Sequence, residues 1–314
     1  MKAWIYRDYG GPEVLDLAQV DTPVPARGEV RLRVCAFALN PLDWKLRSGE
    51  FRVMTRGGLP RGVGYDVAGI VDAAGPQTTL RPGEAVVGMI NPYGSRLGAA
   101  AEYACVREEH AVAIPPSLSP VDAAALPGAG MTALQTLRKA RVRAGQRALI
   151  LGASGGVGSF AVLLSLLEGL HVTAVASRDG QEHLRRLGPQ RAIDRSSQDW
   201  RKVPERFDFV FDCTGSTTYA ECRHLLGDAG VYANTLPDGA MYLAALWAGL
   251  TSSRRVIPVI ERPVRADLQK LVALAAEGRL RPPVTRIASM DEVPQLELDL
   301  EAWRGRGKFV VRMA

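Results

Sequence analysis

The sequence predicts an α/β protein in two parts, an irregular β-rich domain and a doubly wound parallel sheet. Three observations predict it. At 314 residues the chain exceeds the usual size of one domain. Up to about residue 117 it reads as short apolar runs cut by turn residues. Beyond that point apolar strand cores alternate with helical segments. The expected division puts residues 1–117 and 265–314 in the β-rich domain and 118–264 in the parallel-sheet domain.

In the first part, strands are expected over residues 2–6, 29–36, 68–73, 85–89 and 102–106. Pro23-Val24-Pro25, Arg27-Gly28, Gly57-Gly58, Gly75-Pro76 and Pro82-Gly83 separate them, since proline and glycine weaken any ladder they interrupt. At Ser119-Pro120-Val121-Asp122 the pattern becomes a helix start, with serine at the cap and proline at the first helical position. Residues 147–151 are an apolar strand core, 159–167 a helix and 172–176 a second strand. Apolar runs at 192–193, 207–211, 230–233 and 256–260 continue the alternation, with a helix around 184–187. Apolar strands separated by helices belong to a parallel sheet covered on both faces. A helix over 267–277, stopped by Gly278, and a strand over 308–311 close the chain.

Composition excludes several functions. With 47% hydrophobic and 23% charged residues the chain can bury substantial cores, and no apolar run approaches the roughly 18 residues of a membrane helix. The stretch from Met1 to Asp8 turns polar too soon for a signal peptide, so a cytoplasmic location is expected. Four cysteines, Cys35, Cys105, Cys213 and Cys222, without a C-x-x-C, suggest neither a disulfide framework nor a structural zinc lobe. The formal net charge of +6 would permit an anionic partner. Its arginines are scattered among acids with no basic block or aromatic interleaving, so no nucleic-acid partner is expected.

The strongest local signal is Gly152-Ala153-Ser154-Gly155-Gly156-Val157-Gly158, directly after one apolar strand and directly before a helix. Glycines are needed there where backbone approaches a pyrophosphate and where helix packs on strand, and the phosphate falls at a helix N-terminus. No G-K-[ST] follows, so the loop is not a Walker loop. The end of the next strand selects the dinucleotide. An acid there would suit the ribose 2′-hydroxyl of NAD, whereas Ser177-Arg178 suits a 2′-phosphate, with Arg195 as a second candidate guanidinium. Asp179 lies two residues past the strand end, out of place for the ribose. NADPH is therefore the expected cofactor.

The order of pieces resembles the medium-chain dehydrogenase/reductase superfamily, in its zinc-free quinone oxidoreductase, or zeta-crystallin-like, branch. The resemblance covers essentially the whole chain. Its pieces are Leu39-Asn40-Pro41-Leu42-Asp43-Trp44-Lys45 with Arg47-Ser48-Gly49, then Gly64-Tyr65-Asp66-Val67-Ala68-Gly69-Ile70-Val71 and Gly83-Glu84-Ala85-Val86-Val87-Gly88. Ala101-Glu102-Tyr103, Ala123-Ala124-Ala125-Leu126-Pro127, Met131-Thr132-Ala133-Leu134, the glycine loop and Arg306-Gly307-Lys308-Phe309-Val310-Val311 follow in order. The resemblance implies a GroES-like catalytic domain beside a Rossmann domain. Zinc-dependent relatives would carry a metal-binding Cys in place of Asn40 and a His-Glu pair in place of Tyr65-Asp66; with neither present, no metal is expected.

What the resemblance then implies is NADPH-dependent reduction of a C=C conjugated to a carbonyl, in a quinone, enone or enoyl thioester. Hydride would reach the β-carbon, and the enolate would be stabilised and protonated at the α-carbon in a dry cleft between the domains. By resemblance, Asn40 would bond the nicotinamide ribose, Thr132 would lie near the nicotinamide, and Thr214 and Gly215 would border the ribose and adenine side. Tyr65 and Lys45 are the candidates for stabilising or protonating the enolate. The stretch after Gly49 lacks the tyrosine that some enoyl reductases carry there, and Cys213, with no histidine beside it, reads as a packed thiol.

Two further readings stand beside this one. A biosynthetic ene-reductase or reductive cyclase would use the apolar stretch 242–250, with Trp247, to line a pocket for a bulky substrate; the same stretch would equally serve a dimer interface. A non-catalytic crystallin-like or RNA-binding protein would need neither the glycine loop nor a 2′-phosphate pair. A homodimer is expected through residues 256–260 as a sheet edge.

Overall fold

The computed structural model describes residues 1–314, which form two compact units: Met1–Met131 with Pro263–Ala314, and Thr132–Arg262. The first unit thus continues to Met131 rather than stopping near 117. The intervening helix start, beginning at Ser119, packs its Val121, Ala123 and Ala124 into that unit.

The first unit opens with strands β1 (Lys2–Tyr6), β2 (Leu15–Gln19) and β3 (Glu29–Leu39), helix α1 (Pro41–Arg47), and strands β4 (Arg61–Gly62) and β5 (Asp66–Ala74). Strands β6 (Ala85–Met89), β7 (Tyr103–Arg107) and β8 (Ala111–Ala113) and helices α2 (Pro120–Ala124) and α3 (Pro127–Ala140) follow, the unit division falling inside α3. Helix α1 starts where the sequence gives it every reason to. Pro41 occupies its first turn, and the Asp43 carboxylate three residues into the helix accepts the Asn40 N–H at 2.7 Å while the Asp43 N–H donates to the Asn40 carbonyl.

The second unit contains β9 (Arg147–Leu151), α4 (Gly156–Leu167), β10 (His171–Ala176), α5 (Gln181–Leu187), β11 (Arg191–Asp194) and β12 (Phe207–Asp212). It continues with α6 (Tyr219–Cys222), β13 (Leu226–Asn234), α7 (Gly239–Thr251) and β14 (Arg255–Pro258). These six strands form one sheet in the order β11-β10-β9-β12-β13-β14, and every pairing is parallel. That is a doubly wound sheet whose order reverses between β9 and β12. Helix α4 begins at Gly156, earlier than the apolar residues from 159 suggest, and β14 ends at Pro258, which lacks the N–H to continue the ladder.

The chain then returns to the first unit with α8 (Arg265–Ala276), β15 (Val284–Ala288), α9 (Val293–Glu301) and β16 (Lys308–Arg312). In that unit β15-β16-β3-β5-β6-β8 form one sheet, with β7 also pairing β3, and β2-β1-β4 form a second. No helix of the chain is long and apolar enough to cross a membrane.

Charge is buried in the first unit where α1 meets α9. Arg47 is wholly buried, donating from Nε to Glu297 Oε2 at 3.1 Å and from Nη2 to Glu301 Oε2 at 2.8 Å, with Nη1 on the Gly10 carbonyl. Burial raises the Glu297 carboxyl to about 8, against the pull of the Arg47 guanidinium. Removing Arg47 would strip the buried Glu297 carboxyl and the Gly10 carbonyl of their shared donor, and removing Glu297 would leave the buried guanidinium without its fully buried partner. Arg47→Ala is therefore expected to lower stability by about 3–5 kcal/mol in urea unfolding, and Arg47→Met combined with Glu297→Leu to recover most of it. An Arg47→Ala loss below about 1 kcal/mol, the range of an exposed ion pair, would contradict this account.

Candidate active site

In the second unit the site is built where the sheet order reverses. The loop after β9 and the loop after β12 meet there, and they meet because one residue has no side chain. Gly152 takes a left-handed φ of 68°, and a Cβ on it would lie 2.2 Å from Thr214 Cγ2. A Cβ on Gly158 would lie 2.2 Å from the Gly152 carbonyl oxygen and 2.7 Å from Ala153 Cα, so α4 packs on the loop only through glycine. Beside Gly155, by contrast, a Cβ would meet nothing nearer than 3.5 Å.

Helix α4 carries no side-chain cap on its twelve-residue length. Gly156, Val157 and Gly158 stand in its first turn, where amide hydrogens have no partner within the helix and the helix dipole is positive. Ser154, nearly buried in the loop, packs against the turn at Gly180, where a Cβ would come within 2.6 Å of its hydroxyl. A phosphate group fits this cradle: open backbone at Gly155, first-turn amides behind it, and no acidic side chain in the loop.

The loop after β12 is held by one buried carboxylate that the sequence reading passed over. Asp212 Oδ1 accepts from the Thr214 N–H at 2.9 Å, the Thr214 hydroxyl at 2.7 Å and the Gly215 N–H at 3.0 Å. Its Oδ2 accepts from the Thr217 N–H and hydroxyl, both at 2.7 Å. Gly215, at a φ of 69°, is crowded by Leu236, which a Cβ would approach to 2.5 Å. An aspartate closing an apolar strand and followed by Cys-Thr-Gly-Ser-Thr is the signal that could have found it.

Past β10, Ser177 starts a tight turn over Arg178–Gly180. The Arg178 side chain is 77% exposed, with Nε 3.7 Å from Asp194 Oδ2, and its N–H donates to Ser196 Oγ at 3.3 Å. The Ser196 N–H, with Arg178 adding to it, holds the Asp194 carboxyl below its ordinary value. Arg195 is exposed, its N–H donating to the Ala176 carbonyl at 2.9 Å, so the ends of β10 and β11 present Ser177, Arg178 and Arg195 together.

The first unit holds the other expected residues. Asn40 caps α1, and its amide Nδ2 donates to Asp66 Oδ2 at 2.9 Å while its Oδ1 accepts from Lys308 Nζ at 2.5 Å. Lys308 also bonds Asp66 Oδ2 at 3.1 Å and the Leu39 carbonyl at 3.3 Å. Asp66 Oδ1 accepts from the Gly128 N–H at 2.9 Å, at the start of α3. Asp43, behind Asn40, accepts from the Asn40 N–H at 2.7 Å and the Gly64 N–H at 2.6 Å; burial pushes its carboxyl up to about 7 against those two donors.

Tyr65 and Lys45 differ in what they can offer. The Tyr65 ring is 2% exposed, its hydroxyl donates to the Gly62 carbonyl at 3.1 Å, and burial raises the phenol well above its ordinary value. Lys45 Nζ lies 2.8 Å from Glu50 Oε1, over the Trp44 and Phe51 rings at 5.3 and 5.6 Å, and the Glu50 side chain is 44% exposed. Thr132, half-buried on α3, accepts at its carbonyl from the Thr136 hydroxyl at 2.7 Å. The apolar stretch 242–250 forms most of α7, and its Leu243, Leu246, Trp247 and Leu250 are exposed. They border a groove of about 450 Å³ with Tyr219 and Arg223.

A metal does not fit this unit. No three His, Cys, Asp or Glu side chains gather closely enough to hold one, and the ammonium of Lys308 sits between Asn40 and Asp66.

A glycine loop opening an uncapped helix at the reversal point of a six-stranded parallel sheet is the arrangement with which doubly wound folds bind dinucleotides. The model of the alcohol dehydrogenase GroES-like domain matches residues 26–116, and that of a zinc-binding dehydrogenase matches 187–311. A 2-methylene-furan-3-one reductase of Solanum lycopersicum is 33% identical, covering 99% of this chain and 79% of its own length. An NADPH-dependent alkenal/one oxidoreductase of Arabidopsis thaliana is 36% identical over 68% of this chain and 58% of that protein. The solved quinone oxidoreductase of Coxiella burnetii superposes with a TM-score of 0.90 at 29% identity, covering 100% of this chain and 99% of that one. The chain belongs to the medium-chain dehydrogenase/reductase superfamily, among its quinone oxidoreductases, a family of oxidoreductases that use a nicotinamide cofactor.

Proposed function

We propose that this protein is a zinc-independent, NADPH-dependent reductase of a C=C conjugated to a carbonyl, as in quinones and enones. The observation that carries the cofactor choice is Arg178, an exposed guanidinium just past the end of β10, 3.7 Å from the Asp194 carboxylate, on a backbone whose N–H donates to the Ser196 hydroxyl. The substrate class is supported by the activities for which the tomato, Arabidopsis and Coxiella relatives are named. The metal-free chemistry is supported by the Lys308 ammonium between Asn40 and Asp66.

The bound nicotinamide supplies hydride to the β-carbon of the activated alkene. The chain supplies the rest. Amides of α4 and the Gly155 backbone take the pyrophosphate, and Ser177, Arg178 and Arg195 take the 2′-phosphate. Thr214 and Gly215, fixed by Asp212, border the adenosine side, while Asn40 and Thr132 serve the nicotinamide end. Negative charge developing on the carbonyl oxygen is met by the Lys45 ammonium, which then gives its proton to the α-carbon and regains one from solvent through Glu50. Tyr65, turned to the Gly62 carbonyl and buried, packs rather than protonates. Two copies pair along β14, the end strand of the parallel sheet, whose outer edge is unpaired within the chain.

Three outcomes follow for measurement. Arg178→Ala is expected to weaken NADPH by about ten- to a hundredfold while leaving NADH nearly unchanged, read by fluorescence titration; equal losses would remove Arg178 from the 2′-phosphate. Lys45→Met is expected to lower kcat about a hundredfold at unchanged NADPH affinity, with Tyr65→Phe within twofold of the parent; the reverse pattern would give the proton to Tyr65. Sedimentation at low micromolar concentration is expected to show a particle of twice the 33.8 kDa chain mass, and a single species at 33.8 kDa would exclude the dimer.

A further inference from the structure

The Asn40 amide is held at both ends by charges that tell its two ends apart. Its Nδ2 faces the Asp66 carboxylate at 2.9 Å and its Oδ1 faces the Lys308 ammonium at 2.5 Å. Turning the amide over would set oxygen against carboxylate and NH₂ against ammonium, two repulsive contacts in place of two charge-assisted hydrogen bonds. Lys308 is 2% exposed and Asp66 fully buried, so water cannot substitute for either. The three protons of Lys308 are all engaged, on the Leu39 carbonyl, Asn40 Oδ1 and Asp66 Oδ2. The free oxygen of Asp66 is in turn fixed by the Gly128 N–H.

Stability alone does not call for such a pair. Removing two charges from water is costly, and apolar residues of the same volume serve a core as well or better. What the pair does here, and an apolar pair could not, is fix one orientation of one amide. Lys308 stands on β16 and Asp66 on β5, so two separate strands converge on the residue at the cap of α1.

We propose that Lys308 and Asp66 are positioning residues that lock the Asn40 amide so that one Nδ2 hydrogen and one Oδ1 lone pair are presented to the hydroxyls of the nicotinamide ribose. This rests on the reading that Asn40 serves that ribose. A locked donor and acceptor side by side can meet a hydroxyl that both gives and receives a hydrogen bond, without the orientational freedom a loose amide would have to give up on binding.

The test uses the full chain with two probes: NADPH, and adenosine 2′,5′-bisphosphate, which carries the 2′-phosphate end but no nicotinamide ribose. Asn40→Ala is expected to weaken NADPH about tenfold and leave the bisphosphate unchanged, the size of one or two lost hydrogen bonds. Lys308→Met is expected to show the same selective loss, and Lys308→Met with Asn40→Ala to be no weaker than Asn40→Ala alone, because the lysine acts through the amide. Losses that add, or that strike both probes alike, would make Lys308 a structural residue only. If Asn40→Ala leaves NADPH affinity untouched, the reading of Asn40 fails and the proposal with it; if Asn40→Ala weakens NADPH and Lys308→Met does not, the proposal alone fails. Should Lys308→Met not fold, the charge-free pair Asp66→Leu with Lys308→Met carries the same comparison, since it leaves no charge buried alone.

Discussion

The close approach of two loops at the reversal point of the parallel sheet is the constraint on which the rest of the site depends. Leu151 and Asp212 end adjacent strands, and the chains that leave them must part in opposite directions while still touching. They touch at Gly152 and Thr214, at a separation that admits no Cβ on the glycine. Given that contact, α4 must start with Gly158 against the Gly152 carbonyl, and its first amides are left without partners. The same backbone that closes the packing therefore creates the place for an anion. Asp212 completes it from the other side, using both carboxylate oxygens to fold Thr214, Gly215 and Thr217 around itself.

The first unit solves a different problem, holding polar residues rigid inside an apolar core. Around α1 it buries Asp43, Arg47, Asp66, Glu297 and Lys308, each with hydrogen-bonded or charged partners drawn from distant strands and helices. Such groups are costly unless paired, and paired they permit only one arrangement. Asn40 is at the edge of this network, half-buried, bonded on one side to buried charge. Asn40, assigned to the nicotinamide ribose, thus stands on a charged frame, while the pyrophosphate is assigned to glycine backbone.

Much of this was legible in the sequence because it is local. The strand, glycine loop and helix around residues 147–167 are contiguous, and strand alternation foretells a parallel sheet that the five pairings bear out. Ser177 and Arg178 were visible as the residues that end a strand. What sequence did not disclose depends on partners far along the chain. The tie of Lys308 to Asn40 spans 268 positions; Lys45 and Tyr65 have near partners, Glu50 and the Gly62 carbonyl, but which way each side chain turns is a matter of packing that residue order does not give. Asp212 is hidden by its apolar strand, and the stretch 242–250, which the sequence offers equally as a pocket lining or a dimer face, lies on α7 with Leu243 and Trp247 exposed. Glycines in the first turn also concealed the true start of α4, because they are poor helix formers serving a packing need.

The account's central claim is that hydride enters at the carbon β to a carbonyl and a proton enters at the α-carbon. It is tested most directly by reducing a simple enone with NADPH deuterated at nicotinamide C4, and separately with unlabelled NADPH in heavy water, reading the product by NMR. Deuterium from the cofactor at the β-carbon and from solvent at the α-carbon is the result this account requires. Cofactor deuterium on the carbonyl carbon, giving an allylic alcohol, would contradict it.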